Sequence, residues 1–526
     1  MKKLNIAQIQ EELNNRIKDD KYKVLKDMPT PELFKDMNKA TKRIIDALKN
    51  DETINIIGDY DADGVNSTAI MVEFFNKAVG VEVNYIIPNR FEHGYGVSEA
   101  ILDMVYDGIV ITVDNGISAV EPARICKKRG LDLIITDHHT VGSELPDAYA
   151  IINPKQSDCT FPFPEICGAH VAWYLCASIK KELGLKYNLM DLFDFLTIAI
   201  IADIMPMISL NQTIVKRGLK LLATSQRPAF VVLRERFGFS DSITEEDIGF
   251  KIAPLINCAG RMEDASIALE FLLSFDTYEA NEHLDYLIEL NERRKQEQLS
   301  IYEEAKLQVN EADEVIVVSS DNWNEGIVGI VASKLCDKFK KPAFVFHTDE
   351  VKAKASARSV ANINLYDLIT KVKDYTIGYG GHKGAAGLLV DINKLEEFKI
   401  AINEAFKTVA NEDKIIQNDA LCQIELHDAN ENLFNTIHSF KPFGLENAMP
   451  IFYFENIQIL NIQYMGKEKQ FKKLVLSNGV INIDLLIFSD CQELHVNDYI
   501  NFNASINKNE FRGEVTYNLM LKELLN

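Results

Sequence analysis

Between positions 53 and about 153, short runs of apolar, β-favouring residues recur with helix-favouring stretches between them: TINIIG, VEVNYII, GIVITVD, LDLIITD and AYAIIN. Strands separated by helices of ten or more residues predict a parallel sheet covered on both faces. Such a sheet collects ligands at the carboxyl ends of its strands. From 168 to about 225 the pattern turns helical, and no Gly or Pro interrupts the chain from Arg261 to Glu325. The charged stretch DTYEANEHLDYLIELNERRKQEQLSIYEEAKLQVNEAD within it predicts one or two long, exposed helices that connect domains. A second α/β unit opens at EVIVVSS (314–320), runs through KPAFVFH and ends near the glycine-rich GYGGHKGAAG (378–387). After a helical link near 393–410 the tail turns β-rich, and its runs IFYFENIQIL, KLVLSNGVINIDLLIF and DYINFNASI predict a small barrel. The reading is therefore an α/β chain in five parts: an N-terminal helical segment (1–50), a parallel-sheet domain (51–225), a helical connector (226–312), a second α/β domain (313–410) and a barrel (420–526).

At 526 residues the chain is long for one hydrophobic core, which agrees with several domains. No transmembrane helix is expected, because the apolar run 196–208 is short and interrupted by Asp203. The N-terminus has no apolar signal core, since Gln8, Gln10, Glu11 and Glu12 arrive early, and a cytoplasmic protein is expected. The eight cysteines, at 126, 159, 167, 176, 258, 336, 422 and 491, form no CxxC pair and read as reduced, mostly buried thiols. A net charge of −22 argues against a broad nucleic-acid-coating surface but leaves room for a narrow basic groove.

The stretch GDYDADG (58–64) sets three carboxylates, Asp59, Asp61 and Asp63, at alternate positions just past the apolar run 54–57. Like charges this close push one another towards protonation unless a cation neutralises them. A calcium loop or a polar turn of helix-capping aspartates is the alternative for this motif alone. Three more element ends carry similar chemistry: Asp114 in VDNG after GIVIT, Asp137, His138 and His139 in TDHH after LDLII, and Asp203 in IADIMP at a helix end. Four such clusters on one edge of a parallel sheet point to a metal site. The mixture of Asp and His favours Mn²⁺ over Ca²⁺, and the ligands suffice for two ions, which implies metal-assisted hydrolysis.

In this order DYDADG, VDNG, TDHH and IADIMP resemble the motifs of the DHH phosphoesterase superfamily. NCAGRM (257–262), WNEGIVG (323–329), ASARS (355–359) and GYGGHKGAAG narrow the likeness to its RecJ-type, single-strand-specific exonucleases, over nearly the whole chain. The resemblance implies a DHH domain, a DHHA1 domain and an oligonucleotide-binding (OB) barrel. It makes Asp59, Asp61, Asp114, His138 and Asp203 the metal ligands, with Asp114 bridging two divalent ions, Mn²⁺ favoured over Mg²⁺. Asp63 and His139 stand beside them as ligands or substrate contacts, and Asp137 as an orienter of the histidines. Arg90, Arg261, Ser356 and Arg358 match the phosphate-contacting positions. Gly381 and His382 in the glycine-rich loop are expected to meet the phosphate chain. In CGAHVAW (167–173) His170 departs from the family pattern and reads as a buried helical histidine or a new substrate contact.

The implied activity is 5′→3′ digestion of single-stranded DNA in repair and recombination, by a monomer whose partners include a single-strand-binding protein or a helicase. Lys467, Lys469, Lys472 and Lys473 around Phe471, with Lys508, Phe511 and Arg512, give the tail the cation and aromatic mixture that suits single-strand tracking. The alternatives are a DHH-family oligoribonuclease, a cyclic-dinucleotide phosphodiesterase, a manganese pyrophosphatase, and a catalytically inactive DHH scaffold.

Overall fold

The computed structural model describes every residue except 18–20, 240–241, 416–417, 467, 489–492, 512 and 526, so Lys467, Cys491 and Arg512 lie outside the described residues. All five apolar runs of the first domain are strands: β1 (Ile54–Ile57), β2 (Asn84–Ile86), β3 (Ile109–Val113), β4 (Asp132–Thr136) and β5 (Ala150–Ile152). They pair in parallel in the order β2-β1-β3-β4-β5. Every residue of β1 and β3 is buried, as continuous apolar runs in a sheet covered on both faces require. One face packs Val110, Leu133 and Ile135 on Ile101, Leu102, Ala123 and Cys126. Helix Ala62–Phe74, buried along its whole length, packs against helices Gly168–Leu183 and Phe193–Ala202. The strand order reverses at β1, so the carboxyl ends of β1 and β3 flank a topological switch point, where open α/β sheets bind ligands.

The second α/β sheet comprises β6 (Ile316–Ser320), β7 (Ala343–Thr348), β8 (Lys352–Arg358), β9 (Gly378–Gly381) and β10 (Ala385–Asp391) in the order β6-β7-β8-β10-β9. Only β6 and β7 are parallel, joined through helix Val328–Phe339; the remaining pairs are antiparallel. Between the two sheets runs one 31-residue helix, Thr277–Leu307, started by Asp276, whose side chain accepts from the N–H groups of Tyr278 and Glu279. It is less exposed than its charges suggest. Ala280, Leu284, Leu287, Asn291, Gln298, Ile301 and Ala305 form a buried stripe at helical spacing against helices Ala253–Met262, Pro228–Phe237 and Val328–Phe339.

The chain divides into two compact units, and both α/β sheets lie in the one made of residues 29–203 and 218–417. The other joins residues 1–28, 204–217 and 418–526. Its strands are β11 (Cys422–Gln423), β12 (Phe452–Met465), β13 (Phe471–Ser477), β14 (Asn482–Ile487), β15 (Tyr499–Phe511) and β16 (Glu514–Leu525). They run β11-β12-β13-β14-β16-β15, and a further β12–β15 pairing closes the expected barrel. Phe452, Phe454, Leu474, Leu485, Phe502 and Leu519 fill it. The N-terminal stretch does not stay together as one segment. Helix Ile6–Arg16 buries Ile9 and Leu13 in the barrel unit's core, whereas Met37–Lys49 packs on helix Gly168–Leu183 and β5. A narrow apolar stripe on a short helix needs a partner surface, and for the first helix that surface lies more than 400 residues along the chain.

Because Leu13 is fully buried among barrel residues, Leu13→Ala is expected to remove about 2–4 kcal/mol of stability. Limited proteolysis should then cut first within the barrel unit, with the two α/β sheets protected; a uniform loss of protection would contradict this assignment of the first helix.

Candidate metal centre and anion site

Five segments meet at the switch point. Asp59 follows β1, and Asp61 caps helix Ala62–Phe74 by accepting from the N–H groups of Asp63 (2.9 Å) and Gly64 (3.1 Å). Asp63, in the first turn of that helix, accepts from Gly168 N (2.6 Å) and Ala169 N (2.8 Å), the opening residues of helix Gly168–Leu183. The close approach explains the glycine: a Cβ on Gly168 would lie 2.4 Å from Asp114 Cβ. Asp114 follows β3 with φ +63°, a left-handed conformation that an aspartate tolerates. Its neighbour Asn115 donates to the carbonyls of Ile57 (3.1 Å), Gly58 (2.9 Å) and Val113 (2.9 Å), stapling β1 to β3 where the sheet would otherwise open.

His138 and His139 follow β4. His138 Nε2 lies 3.2 Å from Asp114 Oδ1, 3.6 Å from Asp203 Oδ2 and 3.7 Å from Asp63 Oδ2. Asp203 sits at the C-terminus of helix Phe193–Ala202. Asp137 faces the other way: it accepts from the backbone of Ile117, His138 and His139 and from His139 Nδ1 (2.8 Å). It orients the His139 ring, while the His138 ring makes no hydrogen bond to it.

Three sets of side chains have ligand atoms within 4.8 Å of one another: Asp59, Asp61 and Asp114; Asp63, His138 and Asp203; and Asp114, His138 and His139. Among the described residues, Asp59 Oδ1, Asp114 Oδ1 and Asp203 Oδ2 are buried and accept no hydrogen bond. Buried carboxylate oxygens without donors are costly unless a cation takes them, so the donor set fits divalent metal ions. Burial followed by neighbouring carboxylates raises Asp59 and Asp114 well above the ordinary range, Asp63 to about 6 and Asp203 to about 8. Burial and then the charge of His139 lower His138 to about 3, which keeps that ring neutral and able to ligate. Burial opposes the charging of His139, but its hydrogen bond to Asp137 prevails and raises it to about 9.

Three arginines gather in the same unit. Arg90 Nε donates to Gly260 O (3.1 Å), Arg261 Nη1 to Gly326 O (2.9 Å), and Arg358 Nη1 to Ser356 Oγ (3.1 Å) and Ala357 O (2.9 Å). Burial and the charge of Arg90 lower Arg261 to about 10, with Arg358 adding to the effect, and burial lowers Arg358 as well. Among the described residues no carboxylate pairs with any of the three. The glycine-rich stretch is the β9–β10 hairpin: Gly381 ends β9 with φ +142°, and the exposed His382 donates its N–H to Ala385 O (2.8 Å). A cavity of about 520 Å³ opens on this sheet, lined by Lys352, Lys354, His347, Tyr379, Gly380 and Gly387 among others. His170 is fully buried in helix Gly168–Leu183 and stacks on Tyr174, ring centroids 5.4 Å apart. Two residues that sequence reading passed over are Asn115 and Tyr60, both inside quoted motifs but chemically unremarkable there.

In the tail Lys473 pairs with Asp484 (2.7 Å) and Lys508 with Glu510 (3.2 Å), while Lys469 is exposed and the rings of Phe471 and Phe488 meet edge to face. No helix among the described residues is long and apolar enough to cross a membrane.

A carboxylate and histidine cluster at the switch point of a parallel sheet, followed by a mixed-sheet domain and an OB barrel, defines a DHH-type hydrolase. The chain matches the DHH family N-terminal domain over residues 53–200, the DHHA1 domain over 312–408 and the RecJ OB domain over 422–523. It belongs to the RecJ family. The single-stranded-DNA-specific exonuclease RecJ of Dickeya dadantii is 30% identical over 527 residues, which cover 93% of this chain and 90% of that one. The protein of the same name from Bacillus subtilis is 36% identical over 512 residues, 94% of this chain but 64% of that relative's length. The crystal structure of RecJ from Thermus thermophilus in complex with Mn²⁺ superposes with a TM-score of 0.86 at 25% identity, covering 99% of this chain and 76% of that one.

The raised carboxylates make a prediction with a definite sign. A carboxyl that holds its proton more tightly in the folded protein than the ordinary 3.8 contributes stability at low pH. That contribution is lost as pH rises through about 6 for Asp63 and about 8 for Asp203. In a chelator, thermal stability should therefore fall as pH rises from about 4 to about 8, and the increase produced by saturating Mn²⁺ should grow over the same interval. Melting curves with EDTA and with Mn²⁺ measure both, and a Mn²⁺ increment independent of pH would contradict the cluster as a cation site.

Proposed function

We propose that this chain is an exonuclease specific for single-stranded DNA, digesting from the 5′ end through two divalent ions, Mn²⁺ in preference to Mg²⁺, in cytoplasmic DNA repair and recombination. The reading is carried by one observation: a carboxylate cage with donorless buried oxygens lies in the same unit as three arginines that pair with no carboxylate among the described residues. The RecJ names of its relatives and the OB barrel favour a polymer over a dinucleotide.

In this reading Asp59, Asp61, Asp114, His138 and Asp203 would hold the ions, and Asp114, the carboxylate that like His138 belongs to two of the ligand sets, would be the bridging ligand. When bound, the ions supply Lewis acidity to a phosphate oxygen and to the attacking water. Asp63 braces helix Gly168–Leu183 against the cage. His139, kept protonated by Asp137, donates from Nε2 to a phosphate oxygen. Arg90, Arg261, Ser356 and Arg358 grip the terminal phosphate, and Gly381 and His382 border the path of the strand. The water oxygen bonds to phosphorus and the P–O3′ bond breaks, so the shortened strand again ends in a 5′-phosphate and refills the arginine pocket. The barrel contributes single-strand binding, and a single-strand-binding protein or a helicase is the class of partner that would feed a monomeric enzyme.

Comparing a long single strand with a dinucleotide in Mn²⁺ tests the substrate class: preference for the dinucleotide would indicate an oligoribonuclease-type or cyclic-dinucleotide enzyme, and inactivity on both a scaffold. Asp114→Ala should lower turnover at least about 10³-fold, since several kcal/mol of transition-state stabilisation go with the ions, and should reduce bound Mn²⁺ from two per chain. Near-normal turnover would remove Asp114 from the cage. Arg358→Ala should weaken action on 5′-phosphorylated strands by about 30- to 150-fold, the worth of a charge-assisted bidentate contact, and on 5′-hydroxyl strands much less. Equal losses on both would leave the pocket without a terminal phosphate.

A further inference from the structure

Tyr60 lies between two cage residues, Asp59 and Asp61, and its ring carries Arg90: the guanidinium sits over the ring face, 4.0 Å from the centroid. The ring's edge meets Tyr95 at 6.0 Å and 77°. The backbone of Tyr60 has no freedom to adjust, because it links the end of β1 to the cap of helix Ala62–Phe74. Gly260 presses against it, and a Cβ there would lie 2.3 Å from the Tyr60 carbonyl oxygen and 3.2 Å from its Cβ. The carbonyl of the same Gly260 accepts from Arg90 Nε. Ring and carbonyl thus hold the arginine on two sides. Among the described residues no protein acceptor takes its Nη1 and Nη2 hydrogens, which form the edge that grips a phosphate in bidentate fashion.

We infer that Tyr60 is a positioning residue that fixes the distance from the Arg90 phosphate contact to the carboxylate cage, and so selects which phosphodiester is cut. The inference rests on the proposed reading of Arg90 as a contact to the terminal phosphate. A free arginine side chain turns about several single bonds and would follow its ligand. One stacked on a residue flanked by cage carboxylates is referenced to the cage through a single residue of backbone. A terminal phosphate gripped there brings a fixed bond to the cage.

The test uses the full chain with Tyr60→Phe and Tyr60→Leu, in Mn²⁺, on matched 5′-phosphorylated and 5′-hydroxyl single strands, with products resolved by length. Mn²⁺ binding is counted separately by electron paramagnetic resonance. Tyr60→Phe keeps the ring and is expected to keep the phosphate-to-hydroxyl ratio of kcat/KM and the mononucleotide product. Tyr60→Leu is expected to lower that ratio about 5- to 20-fold, mainly through KM, and to release dinucleotides and longer products, while binding as much Mn²⁺ as the parent chain. Unchanged ratio and product length in Tyr60→Leu, with a discriminating parent chain, overturns the positioning role alone. Loss of Mn²⁺ from Tyr60→Leu overturns it too, since the residue would then serve the cage. A parent chain indifferent to the 5′-phosphate overturns the terminal-phosphate reading of Arg90 and the inference with it.

Discussion

Burying several carboxylates against one another is the constraint around which the first domain's site is built. Two like charges 4 Å apart repel by about 4 kcal/mol even where the surroundings screen as a protein surface does. Here Asp59, Asp63 and Asp114 are buried together, with Asp61 and Asp203 alongside. The scaffold answers part of that charge with backbone dipoles. Asp61 receives the first N–H groups of its own helix, and Asp63 those of helix Gly168–Leu183, each placing a carboxylate at the positive end of a helix. Asp59, Asp114 and Asp203 receive no such help at their inward oxygens. Backbone donors saturate the periphery, and the inner oxygens are reserved for cations.

The strand order makes this possible. With β1 and β3 adjacent and their crossovers leaving in opposite directions, the chain past each strand turns away and leaves a crevice. Asn115 keeps that crevice at fixed width by donating to carbonyls on both strands. Asp137 does for His139 what Asn115 does for the strands, and in doing so sets the two adjacent histidines apart electrostatically. One ring is charged and faces outward; the other is neutral among carboxylates. A single motif thereby supplies two different kinds of chemistry.

Sheet strands and the clustering of the acids and histidines at their ends were legible in the sequence because each has a local signature: a short apolar run, then an acid or histidine at its end. Burial of the long helix was not, since its stripe of Leu and Ala is diluted by charged residues that point to solvent. Nor was the division of the N-terminal stretch, because what separates helix Ile6–Arg16 from helix Met37–Lys49 is the identity of their distant partners, not their own composition. The stretch with four glycines from 380 to 387 read as a loop, and it is a β-hairpin: Gly380 and Gly381 end β9, Gly384 lies in the turn and Gly387 is in β10. The tail lysines read as free cations, while Lys473 and Lys508 have acids within reach in the folded barrel. Such pairings depend on register, which periodicity alone does not fix.

The excess of 78 acidic over 56 basic residues gives the arginine cluster its meaning. In so acidic a chain an arginine readily finds a carboxylate, as Arg43 and Arg227 do, each with two. Keeping one unpaired requires a partner that satisfies its N–H groups without cancelling its charge. Neutral oxygens do this: the carbonyls of Gly260, Gly326 and Ala357 and the hydroxyl of Ser356. An arginine held by carbonyls is oriented, partly desolvated and still fully positive, which is the condition under which a phosphate gains most from a bidentate contact. Three of them in one unit repel one another, and after burial the charge of Arg90 is the next cause that lowers Arg261. That repulsion is the mirror image of the one in the cage. In the proposed reading, divalent cations relieve the repulsion in the cage, and the phosphates of a bound strand relieve the repulsion among the arginines.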